Sequence, residues 1–99
     1  MASVVIGVKK EFVSKVPEAL KDDLVSRQSI TTREATALEM KSDLYLVVIE
    51  GNEAGVARAK EVFKELGEPL PEKEASEVLR KIREEEEKAS VGVGMIFDA

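Results

Sequence analysis

Residues 44–67 read LYLVVIEGNEAGVARAKEVFKELG, and the way this stretch folds decides the architecture. Leu44, Tyr45, Leu46, Val47, Val48 and Ile49 are six consecutive apolar residues in which β-branched and aromatic types are prominent. A run this short, closed by Gly51 and Asn52, predicts a strand covered on both faces. Gly51 is expected to give the backbone freedom to leave the strand. Asn52 is the expected helix cap, its side-chain oxygen accepting from an amide that the first turn leaves unpaired. Glu53 then sets a negative charge at the positive end of the helix dipole. Val56, Ala59, Phe63 and Leu66 recur at helical spacing with Val62 beside them, and Gly67 and Pro69 signal the stop.

Working outward, residues 3–8 (SVVIGV) read as a second apolar strand containing Gly7. Phe12, Val13 and Val16 supply anchors ahead of Pro17, which suits the first turn of a helix, PEALKDDLVSRQ, buried through Leu20, Leu24 and Val25. Residues 30–40 (ITTREATALEM) support two readings. Thr31 and Glu34 have capping-box spacing for a short helix. The Thr and Ile content favours instead an edge strand that returns through Lys41-Ser42-Asp43 to pair with 44–50. After Gly67, EPLP reads as a linker, and Pro71 and Glu72 open a helix to about residue 89 with a narrow stripe of Ala75, Val78, Leu79 and Ile82. Its Glu77–Lys81 and Glu84–Lys88 pairs have favourable i,i+4 order. Residues 91–97 (VGVGMIF) read as a last apolar strand.

The order β-α-β-β-α-(α)-β predicts a single α+β domain over 1–99, a ferredoxin-like sandwich with a four-stranded antiparallel sheet and helices on one face. Its first and third strands would lie centrally and the second and fourth at the edges. That leaves an apolar sheet face to be covered, either by helix 72–89 or, as favoured, by a second copy of the chain. Val91, Val93, Met95 and Phe97 are the expected oligomer interface.

The 99 residues contain no Cys and no His. The usual zinc, haem and iron–sulfur ligand sets are therefore missing, as are Ser-His and Cys-His nucleophile pairs. A non-enzymatic protein without cofactor or metal is expected. The net charge of −5 divides as −1 up to Glu50 and −4 beyond it, which opposes nucleic acid and anionic membrane. No segment has the length of a membrane span, and no basic-then-apolar leader opens the sequence. The expected location is the cytoplasm, and the abundance of Glu and Lys suggests a thermophilic source.

Candidate sites are few. The Gly51-Asn52 turn offers amides at a helix N-terminus, against which stands a plain capped turn. Gly92 and Gly94 leave a gap on the last strand that a ligand or a helix side chain would fill. Asp22, Asp23, Glu34, Glu39 and Glu50 show no spacing that pairs them for acid–base work, and Glu84–Glu87 point in different directions around a helix. Lys9, Lys10, Lys15, Arg27 and Arg33 form the available basic cluster, with Phe12 as its aromatic neighbour. The resulting expectation is a self-associating protein-interaction or small-ligand module, with nucleic-acid binding through the sheet or basic cluster as the alternative.

The piece LYLVVIEGNEAGVARAKEVF, about a fifth of the chain, resembles the strand-turn-helix of bacterial microcompartment shell domains and the closing segment of some KH domains. The GxxG loop of KH domains is absent, and the charged helix 72–89 departs from a typical shell domain. The resemblance transfers no residue roles.

Overall fold

A computed structural model describes the backbone of residues 2–98 and the side chains of residues 2–87. Strands β1 (Ala2–Val8), β2 (Ser29–Glu34), β3 (Tyr45–Gly51) and β4 (Gly67–Pro69) form one sheet in the order β2-β3-β1-β4, each neighbouring pair antiparallel. Three helices complete the α+β fold: α1 (Val16–Ala19), α2 (Glu53–Val62) and α3 (Glu72–Asp98).

β1 and β3 are apolar on both sides because both sides are buried. Val4, Ile6 and Val8 of β1 join Val47 and Ile49 of β3 in a core with Val16, Val25, Val56, Ala59, Phe63 and Leu66. The alternate residues Val5, Leu46 and Val48 face the other way and pack with Ala35, Leu38, Val78 and Ile82. This period-2 division is what a strand imposes on a continuous apolar run.

α2 follows its sequence closely. Asn52 Oδ1 accepts from the Gly55 amide at 2.7 Å, a cap that contributes on the order of 1 kcal/mol. The expected stripe of Val56, Ala59, Phe63 and Leu66 is buried. Gly67 does not end the helix through a left-handed turn, since no described glycine has positive φ. It is buried in β4, where a Cβ would collide with the Gly7 carbonyl. The expected linker is thus the fourth strand, pairing Gly67 with Val8 and Pro69 with Ile6.

The expected helix from Pro17 is broken into the short α1 and a 3-10 turn, Val25–Arg27. Asp22 is the cause: its Oδ1 accepts from the amides of Leu24 and Val25 at 3.1 and 3.3 Å, and such local bonds compete with a continuous helix. In 30–40 the strand reading holds for the first half, and the capping box does not form, since Thr31 lies in β2 and Glu34 makes no side-chain cap bond. β2 occupies the Thr-rich half, and Ala35–Leu38 is a 3-10 turn with Ala35 and Leu38 buried.

The expected strand at 91–97 is overturned. α3 runs unbroken through it, and the edge of β1 that would receive a last strand is already occupied by β4. The second sheet face is covered by α3 through Val78 and Ile82, so the expectation that another copy covers it gives way to the alternative. Lys81 Nζ donates to the Leu38 carbonyl at 2.9 Å, and Arg33 Nε meets Glu85 Oε2 at 3.2 Å, tying α3 to the sheet side.

Candidate functional site

The Gly51-Asn52 turn is furnished from within the chain. Gln28 Oε1 accepts from the Asn52 amide at 3.0 Å while its Nε2 donates to the Leu24 carbonyl at 2.9 Å. The Gln28 side chain lies where a Cβ on either Gly51 or Gly55 would stand. These glycines serve by making room, and the amides of Asn52 and Gly55 both have partners.

Gly92, Gly94, Val91, Val93, Met95 and Phe97 belong to the helical backbone of α3, where positions two apart do not share a face. Their side chains lie outside the described residues. The shared-face argument that singled them out required a strand and lapses with it.

Two of the basic residues are paired within the chain. Arg27 pairs with Asp23 at 3.4 Å and Arg33 with Glu85, while Lys15 Nζ stands 5.6 Å from the Phe12 ring centre. Among the carboxylates, Asp22 is the most constrained. Its Oδ2 meets Arg58 Nε at 2.9 Å, and Arg58 also reaches Glu61 at 3.1 Å. Partial burial pushes the Asp22 carboxyl up, but hydrogen bonds from Arg58, Val25 and Leu24 and the Arg58 charge outweigh this and hold it below its ordinary value. The same contacts raise the Arg58 guanidinium. This is a structural tie between the 22–27 turn and α2. Among the described residues no three acidic side chains converge as a metal site, and no helix is long and apolar enough to cross a membrane.

Two features remain open. The first is the outer edge of β2, which pairs with β3 on one side and with no other described strand. The Ala35 amide donates to the Leu44 carbonyl at 3.0 Å, and Glu34 lies opposite Tyr45. By alternation, the backbone groups of Ile30, Thr32 and Glu34 point away from the sheet. Arg33 Nη1 donating to the Thr32 carbonyl at 2.7 Å agrees with that assignment.

The second is a groove of about 340 Å³ between the 3-10 turn Lys10–Lys15 and the ends of β2 and β3. Val13, Leu44 and Tyr45, all half-buried, give it an apolar floor. Lys10, Glu34, Thr36 and Asp43 stand around it. A larger groove of about 450 Å³ beside the start of α3 is lined by Met40, Leu44 and Leu70 with Glu74, Glu77 and Lys41; it is the open margin of the core beneath α3. Sequence reasoning missed the first groove because its walls come from three separate segments. The available signal was the pairing of 30–34 with 45–49, which sets Glu34 opposite Tyr45. No family model matches the chain, and neither a curated protein nor a solved structure matches it.

Proposed function

We propose that the chain is a non-enzymatic protein-interaction module of ferredoxin-like topology that associates with a second copy of itself along the outer edge of β2. The topology is supported by the strand order, with β1 and β3 central and β2 and β4 at the edges, and by α1 and α2 packing on one face. The absence of His and Cys from the sequence supports the non-enzymatic reading.

The observation that carries the association is the β2 edge, which no other described strand pairs with and whose Thr32 carbonyl meets only its neighbour Arg33. A two-fold axis through Thr32 sets Thr32 against Thr32, Ile30 against Glu34 and Thr31 against Arg33, with no like charges directly opposed. It also uses the outward groups of all three edge residues, giving about six backbone hydrogen bonds, and joins the two sheets into one. A centre at Arg33 would oppose two guanidinium groups and is disfavoured. Hydrogen bonds of about 0.5–1.5 kcal/mol each stand against an association cost of at least about 4 kcal/mol, so the pairing is weak and concentration-dependent. Self-association here replaces the sheet-face contact that α3 excludes.

Light scattering after size exclusion tests this. A rise from monomer to dimer mass between micromolar and millimolar protein is expected. Thr32→Pro removes an outward N–H and should leave the folded protein monomeric at every concentration. A wild-type protein that stays monomeric at millimolar concentration, or a dimer that survives Thr32→Pro, defeats the reading. Both sheet faces being covered, nucleic-acid binding through the sheet gains no support.

A further inference from the structure

We infer that the groove at the ends of β2 and β3 is a binding site for a small amphipathic amine, its ammonium group held by Glu34 and Asp43 and its apolar body laid on Val13, Leu44 and Tyr45. Three observations converge on it. The floor is apolar and half-buried, continuous through Val13 and Tyr45 with the core beneath α1 and α2. The side chains of Lys10, Glu34, Thr36, Asp43 and Tyr45 make no hydrogen bond or ion pair with the rest of the chain among the described residues. Elsewhere several neighbouring charges are paired within the chain, as Asp22 is with Arg58 and Arg33 with Glu85. Finally, the volume of about 340 Å³ falls at the lower end of the range for small-molecule sites, roughly 300–1,000 Å³.

The charge balance selects the ligand class. Two carboxylates face one ammonium, so the groove carries a net negative charge and favours a cation. A flat or extended apolar body gains from the floor, whereas a bare metal ion does not. The two acids come from different segments: Glu34 closes β2, and Asp43 lies just ahead of β3, whose Tyr45 is the cross-strand partner of Glu34. The β2–β3 pairing therefore builds the site. Lys10, which also lines the groove, discriminates against ligands that bring a second positive charge.

The inference does not depend on β2 edge pairing, and Thr32→Pro should bind as wild type does. The test uses the full chain and two probes of matched body, phenethylamine and phenylacetate, followed by amide NMR. Saturable shifts confined to the residues lining the groove, Glu34, Asp43 and Tyr45 foremost, are expected with phenethylamine, and at least tenfold weaker binding of phenylacetate. The double variant Glu34→Gln with Asp43→Asn should keep the native spectrum, since both side chains are exposed and unpaired, and should lose at least tenfold in amine affinity. Absence of saturable shifts with the amine, equal binding of phenylacetate, or unchanged affinity in the double variant overturns the proposal.

Discussion

The two faces of the sheet are buried by different means. On the α1–α2 face, eleven buried residues come from β1, β3, α1, α2 and the turns between them, elements that follow one another closely in the chain. On the α3 face the buried set among the residues whose side chains are described is seven, Val78 and Ile82 among them from α3. Among the described residues, two polar ties hold α3 there, Lys81 to Leu38 and Arg33 to Glu85, and both are at most partly shielded from solvent. An exposed ion pair such as Arg33–Glu85 contributes about 0–1 kcal/mol. One face is therefore an integral core and the other a cover laid over it, and the cover should open first.

The largest effect that would expose this difference is Phe63→Ala, on the integral face. Phe63 is 1% exposed, and its truncation should cost about 3–5 kcal/mol in urea unfolding, lowering amide protection throughout the chain. Ile82→Ala, on the cover, should cost about 2 kcal/mol, with the loss of protection concentrated in α3. Uniform loss of protection in Ile82→Ala would mean that cover and core unfold as one unit.

A smaller change should strengthen the cover. Glu39 has φ 60°, a left-handed conformation that disfavours a side chain by roughly 1–2 kcal/mol. It closes the 3-10 turn Ala35–Leu38 that lies beneath α3. Glu39→Gly should raise stability by up to about 1 kcal/mol in the same unfolding assay, since the extra freedom of glycine in the unfolded chain offsets part of the relief.

The last probe acts on the α1–α2 face and is read through pH. The Asp22 carboxyl is held below its ordinary value in the folded protein. Its contribution to stability is therefore complete above the unfolded-state pKa, near about 4, and is lost as pH falls through the lowered folded value. Asp22→Asn should flatten the acid limb of a stability profile taken from pH 6 to 2.

The same contrast explains what the sequence disclosed. β3 and α2 were legible because each signal is local: an apolar run, an asparagine cap and a helical stripe. The role of β1 was legible for the same reason. β4 was not, because three residues carry no periodicity; Gly67 joins the sheet through its close approach to the Gly7 carbonyl, which only the folded chain displays. At 91–97 the Val-Gly-Val-Gly alternation has a strand period, yet the sheet has no vacant edge beside β1, and the helix continues. The break at Asp22 comes from its side chain bonding the nearby amides of Leu24 and Val25, which no apolar spacing announces, and Arg58, 36 residues away, then ties that turn to α2. Within the candidate groove, Tyr45 was visible as a strand residue and Glu34 as one of several loose acids. Their association follows from the β2–β3 register alone.

Gln28 has a consequence for how this sequence can drift. Its amide fills the room left by two glycines and answers an amide in one segment and a carbonyl in another. Positions 28, 51 and 55 therefore behave as a single heritable unit. A side chain larger than hydrogen at 51 or 55 displaces the Gln28 amide from this place, and its displacement or loss leaves the Asn52 amide in want of a new acceptor. Relatives of this chain are expected to keep all three together or to exchange them together.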